Sequence, residues 1–138
     1  MTRHVYHCPI RWSDMDVYQH VNNAVFLTYL EEARSDMLGV HAARAGVDTF
    51  AAGCVSAKHG IEYKTPLEWR ETAVDVEVWV TDLRAASFNL AYEVKDEGTL
   101  YAKAASTMVP YDLKSRLPRR LTDSERAYLT RFLAQRPA

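Results

Sequence analysis

Alternation of apolar and polar residues with a period of two dominates the middle of the chain. Val74, Val76, Val78 and Val80 share one side while Asp75, Glu77, Trp79 and Thr81 share the other, the spacing of a strand with one buried face. Phe88, Leu90, Tyr92 and Val94 repeat the pattern. Asp96 to Gly98 then offers a hairpin turn, and Leu100 to Val109 forms a further extended run. Upstream, Val55, Ala57, His59, Ile61 and Tyr63 alternate with Ser56, Lys58, Gly60, Glu62 and Lys64 until Pro66 stops the run. His59 thus falls on the apolar side of this strand, where packing is its expected role. Tyr6, Cys8, Ile10 and Trp12 predict a short first strand, with Pro9 suited to an edge that needs no ladder donor.

One segment has the helical period instead. In NAVFLTYLEEARSDML, Asn23 to Leu38, the residues Phe26, Leu30, Ala33 and Met37 recur at three- and four-residue spacing. Asn22 or Asn23 can cap its start, and Gly39 is placed to end it in a left-handed turn. Near the end of the chain, Thr122-Asp-Ser-Glu125 has the form of a capping box ahead of AYLTRFLAQ, which predicts a short terminal helix. One long helix among antiparallel strands is an α+β arrangement in which the helix covers one sheet face. The other face or an edge is then expected to meet another subunit. No repeat or internal linker divides the chain, so residues 1–138 are read as one domain.

Composition narrows the possible functions. The 138 residues are 48% hydrophobic, enough for a real core. Seventeen basic residues against eighteen acidic ones leave a formal charge of -1, which supplies no field for holding a polyanion, so no nucleic-acid partner is expected. MTRHVYHCPIRW lacks the apolar region of a secretory signal, and no stretch approaches the roughly 20 apolar residues of a membrane span. No membrane association and a cytoplasmic location are the expectations. Cys8 and Cys54 stand far apart and outside any CxxC pattern, which suggests neither a disulfide framework nor a zinc site. The chain also lacks GxSxG, GxGxxG, GxxxxGK[ST] and HExxH motifs.

Candidate chemistry gathers ahead of the long helix, where Asp14-Met15-Asp16 is followed by His20-Val21-Asn22-Asn23. The first N–H groups of a helix are unpaired and partly positive, so they can polarise a carbonyl oxygen. A carboxylate beside them can attack the carbonyl carbon or deprotonate a water that does. Taken alone, paired acids before a helix usually cap it or complement its dipole. Asn22 and Asn23 have the same two readings, contact with a ligand or capping. His20 can orient Asp16 or relay a proton, or serve only as a local hydrogen-bonding residue. Asp14, Asp16 and His20 are three donors on one loop without further His or Cys partners, so no metal is expected.

The order Asp-x-Asp-x-x-x-His-Val-Asn-Asn running into Tyr29-Leu-Glu-Glu-Ala-Arg34 resembles the 4-hydroxybenzoyl-CoA thioesterase branch of hotdog-fold proteins. The resemblance extends through IEYKTPLEWRETAVDVEV, SFNLAYEV and YAKAASTMVPYDLKSRLPRRL, nearly the whole chain. It implies a hotdog fold: one long central helix wrapped by a mostly antiparallel sheet of about five strands, with a short C-terminal helix. It further implies hydrolysis of an acyl-CoA to a free acid and CoA in a homodimer or homotetramer, without a bound cofactor. Asp16 becomes the catalytic nucleophile or general base, Asp14 a supporting group, and the backbone amide of Asn23 the group that polarises the thioester. Beside these, Asn22 can contact substrate or only cap the helix, Ser87 can line the acyl tunnel or only pack, and Lys58 and Arg84, with Lys114, Arg116, Arg119 and Arg120, can meet the phosphates of CoA or stay solvated. Some members carry Gly and Tyr in the loop where this chain has Gln19-His20-Val21-Asn22-Asn23, so a preference for an aromatic acyl group is not implied. Acyl carrier protein in place of CoA, a non-catalytic acyl-CoA-binding module, and hydration or dehydration of an acyl thioester by His20 with an acid remain open alternatives.

Overall fold

The computed structural model describes residues 2–134. Strands β1 (His4–Cys8), β2 (Cys54–Tyr63), β3 (Val74–Leu83), β4 (Phe88–Asp96) and β5 (Thr99–Asp112) form one antiparallel sheet in the order β1-β3-β4-β5-β2, and the short β6 (Leu117–Pro118) pairs with the end of β5. Helix α1 (Asn23–Ser35) lies against β1 and β3 and buries Phe26, Tyr29, Leu30 and Ala33. These meet Val74, Val76, Val78 and Val80 from β3 and Leu90, Tyr92 and Val94 from β4, all at most 1% exposed. Each such apolar side chain contributes about 1.5–3 kcal/mol relative to exposure. Among the described residues no helix is long and apolar enough to cross a membrane.

Three expectations change. The first strand stops at Cys8 rather than running to Trp12. Pro9 has no N–H to extend the ladder, and the chain turns through a 3-10 segment, Trp12–Asp14, that leaves Trp12 76% exposed. Gly39 does not end the helix. The path continues through a π-helical turn (Asp36–His41) and a short α2 (Ala42–Arg44), and the left-handed position is Gly46, with φ of +87°. Burial of Met37, Leu38 and Ala42 continues the apolar face past Gly39. The widened turn is also held from outside. His4 Nε2 lies 2.8 Å from Asp36 Oδ2, the Tyr128 hydroxyl donates to the Met37 carbonyl at 2.6 Å, and His41 Nδ1 sits 2.8 Å from the same hydroxyl.

The third change concerns β2, which is an edge strand with most of its residues exposed. A register shift between Ser56 and Lys58 breaks the expected alternation, and His59 is exposed rather than packed. The strand is entered through Gly53, whose φ of +136° would leave a Cβ 2.5 Å from the Tyr111 carbonyl oxygen, so only glycine fits there.

Helix α3 (Asp123–Thr130) starts with the expected capping box. Its Glu125 is also fully buried and accepts from Thr49 Oγ1 at 2.9 Å and from both terminal nitrogens of Arg119 at 2.8 and 2.9 Å, tying the helix to the approach to β2. Tyr128, Leu129 and Phe132 pack inward, and the chain then rejoins the sheet where the Ala134 amide donates to the Val80 carbonyl. Gln135, the end of the predicted helical stretch, lies outside the described residues.

Candidate active site

The loop between β1 and α1 is built on Asp14. Its buried carboxylate accepts from the Arg11 amide at 3.1 Å and from the Tyr29 hydroxyl at 2.6 Å, while its carbonyl accepts from the Asn22 amide at 2.9 Å. Burial, and then the Asp14 carboxylate beside it, push the Tyr29 phenol well above its ordinary value. With both ends clamped, the loop closes on itself. Met15 bridges Val21, the Asp16 amide donates to the His20 carbonyl at 2.8 Å, and Gln19 makes the turn with a left-handed φ of 62°. The half-buried Asp16 points one carboxylate oxygen back into this turn, accepting from the amides of Tyr18 at 2.9 Å and His20 at 3.3 Å. Its Oδ2 makes no hydrogen bond to the described residues.

Helix α1 begins immediately after. Asn22 is the N-cap, its side-chain oxygen accepting from the Ala24 amide at 2.8 Å. The Asn23 amide finds no acceptor among the described residues, which leaves a donor free at the positive end of the helix. Tyr63, at the end of β2, donates to the Asn23 carbonyl at 2.7 Å and fixes that terminus against the sheet. Two further links, the Val21 amide to the Leu67 carbonyl at 2.8 Å and the His20–Glu68 bridge, draw the segment after β2 alongside. The result is a cavity of about 560 Å³ lined by Trp12, Met15, Asp16, Tyr18, Glu68 and Trp69, among others.

The other sequence candidates distribute differently. The His20 backbone, not its ring, holds Asp16. The Asn22 side-chain oxygen is occupied by capping. Ser87 and Arg84 are not near Asp16 in one chain. They close the β3–β4 hairpin, where the Arg84 amide donates to the Ser87 carbonyl and its guanidinium to Asp82, both at 2.9 Å. Cys8, where β1 turns toward Asp16, pairs with Val74 at the opposite end of β3, so roughly 30 Å of strand intervenes. Alternation predicts which face Arg84 and Ser87 adopt, but not which end of the sheet they occupy. Lys58 lies exposed midway along the β2 edge. A second cavity, of about 410 Å³, is lined by Glu31, Arg34, Phe50, Cys54 and Met108, and burial there pushes the Cys54 thiol up to about 11. Among the described residues no three His, Cys, Asp or Glu side chains converge as a metal site.

Tyr29, Tyr63, Glu68 and Trp69 escape the sequence reading. Tyr29 leaves a trace: it precedes Leu30 of the apolar stripe, and a buried tyrosine hydroxyl requires a partner. Tyr63, Glu68 and Trp69 are brought to the site by tertiary contacts alone.

Known proteins share this architecture. The PA2801 protein from Pseudomonas aeruginosa superposes with a TM-score of 0.78 at 30% identity, covering 91% of this chain and 98% of that one. A thioesterase from Thermus thermophilus, complexed with coenzyme A and Zn, gives 0.76 at 27% identity, covering 93% and 92%. The long-chain acyl-CoA thioesterase FadM from Escherichia coli (strain K12) is 29% identical over 107 residues, 77% of this chain and 81% of that protein. Residues 10–134 match the model of the thioesterase-like superfamily, so the chain belongs to that family and is a thioester hydrolase with the expected hotdog fold.

Proposed function

We propose that this hydrolase cleaves an acyl-CoA to a free carboxylic acid and CoA, with Asp16 as nucleophile or general base and the Asn23 amide polarising the thioester carbonyl. One observation carries the reading. The loop presents a carboxylate, with one oxygen tethered by two backbone amides and the other unengaged among the described residues, seven residues ahead of a helix terminus that has a free N–H donor. When a thioester carbonyl accepts from that amide, its carbon becomes more electrophilic. Asp16 either adds to it directly or takes a proton from the water that adds. Collapse of the tetrahedral oxyanion breaks the C–S bond, and CoA leaves as a thiolate that then takes up a proton; where Asp16 itself has added, water then hydrolyses the acyl-aspartyl anhydride, releasing the free acid and restoring the carboxylate. His20 contributes its backbone amide to the orientation of Asp16. Names of relatives, a long-chain acyl-CoA thioesterase and a thioesterase complexed with coenzyme A, support CoA as the carrier.

The working unit is a homodimer or tetramer in this reading. An edge strand of ten residues with unpaired backbone groups is a template for pairing, and β2 offers Val55 and Tyr63, 40% and 43% exposed, along that edge. Arg84 and Ser87 reach a thioester at Asp16 only from another subunit. The test is release of free thiol from a panel of acyl-CoAs in EDTA, run beside hydration of an enoyl-CoA. Thiol release from at least one acyl-CoA, undiminished by the chelator, is expected. Hydration without thiol release, or binding without either reaction, would sink the proposal.

A further inference from the structure

The Asp16 cavity has an unusual wall for a loop region. Trp12 is 76% exposed, Tyr18 78% and Trp69 44%, and Val17 beside them is 88% exposed. Isolated apolar side chains on a surface need no explanation, but three aromatic rings around one cavity of about 560 Å³ form a patch of the kind that marks a binding site. The positions that carry them are held. Trp12 opens the turn that places Asp14, Tyr18 donates its amide to Asp16 at 2.9 Å, and Trp69 follows the His20–Glu68 bridge and the fully buried Leu67. A ring on a fixed backbone loses little freedom when it takes up a ligand.

Charge decides which part of a substrate enters. The acids that one chain places on the cavity are Asp16 and Glu68, and that chain contributes no lysine or arginine to the wall. Two carboxylates disfavour the phosphates of CoA and leave the aromatic wall for uncharged, apolar material. We infer that Trp12, Tyr18 and Trp69 are specificity-determining residues that grip the hydrocarbon chain of the acyl group next to the thioester held at Asp16, and so favour long acyl chains over short ones. The inference rests on the thioesterase reading above and deepens it by naming the substrate class. Each methylene that such a wall buries is worth about fourfold in kcat/KM.

The experiment compares butanoyl-, octanoyl- and hexadecanoyl-CoA in the wild type, Trp69→Ala and Trp12→Ala. Trp12 is exposed enough that its truncation leaves the fold intact should the Trp69 variant not fold. The expected result is a fall of about tenfold in the ratio of kcat/KM for hexadecanoyl- to butanoyl-CoA, read mainly in KM, because a truncated aromatic anchor weakens binding rather than chemistry. In parallel, intrinsic fluorescence of the Asp16→Asn protein is titrated with hexadecanoyl-CoA and with free CoA. Two of the three tryptophans line the cavity, while Trp79 packs under Arg3 on the sheet, so emission responds to the acyl-CoA and not to free CoA. An equal response to free CoA would assign the rings to the carrier and overturn the inference. So would an unchanged chain-length ratio in both variants, including the case in which the variants sediment as smaller species because the rings face a second copy. If no acyl-CoA is hydrolysed yet hexadecanoyl-CoA still shifts the emission, the thioesterase reading fails and the chain-binding wall stands.

Discussion

Asp14 and Asp16 are two residues apart, yet replacing each by asparagine is expected to damage different properties. The half-buried Asp16 accepts two backbone amides at one oxygen, and asparagine keeps an oxygen there. Exchanging a charged acceptor for a neutral one weakens each bond by about 1 kcal/mol, and partial exposure reduces the total further. A domain with about 5–15 kcal/mol of stability tolerates that loss. The carboxamide, however, can neither attack a carbonyl nor take a proton from water. We expect kcat to fall at least about a hundredfold, equivalent to about 2.7 kcal/mol of barrier. Asp14→Asn has the opposite profile. The buried Asp14 accepts the Tyr29 hydroxyl and the Arg11 amide, and exchanging its charged acceptor for a neutral one weakens each bond by about 1 kcal/mol, a loss that burial leaves undiminished. Turnover falls less than in Asp16→Asn. Thiol release can be followed with a colorimetric disulfide reagent, because burial pushes the Cys8 and Cys54 thiols up to about 12 and about 11 and keeps them slow to react. Urea denaturation followed by circular dichroism supplies the stability arm. An Asp16→Asn protein that unfolds would make the residue structural, and one that folds and retains turnover within tenfold of wild type would refute the mechanism.

Two further outcomes follow from the fold. Burial holds the His4 imidazole below its ordinary value despite the adjacent Asp36, so the folded state favours the neutral ring and the unfolded chain takes up a proton more readily. Stability is therefore complete above about pH 6.5 and declines as the pH falls through that value. The urea midpoint should drop between about pH 7.5 and 5.5 and drop less in His4→Gln; an unchanged or rising wild-type midpoint would exclude this. Sedimentation velocity at micromolar concentration should find a dimer or larger assembly, and Val55→Lys on β2, where Val55 is 40% exposed, should shift it toward smaller species with loss of activity. A wild-type chain that sediments as an active monomer contradicts the subunit arrangement.

The elements that sequence determines by itself are those whose patterning is local. The valine alternation of β3, the apolar stripe of α1, the Asn22 cap and the Thr122–Glu125 box each state their structure within a few residues, because strand and helix periods and cap chemistry are nearest-neighbour properties. The Asp16–Asn23 segment is legible for the same reason, since the loop that presents it is closed by its own backbone hydrogen bonds. Tertiary structure decided the rest. Packing of Met37, Leu38 and Ala42 carried the helix past Gly39, and sheet order placed β2 at an exposed edge where a bulge breaks its alternation. Tyr63 and Trp69 come to the candidate site from across the fold, and sheet order sends Arg84 and Ser87 to the far end. Such placements depend on which strands pair and in which register, and no single segment contains that information.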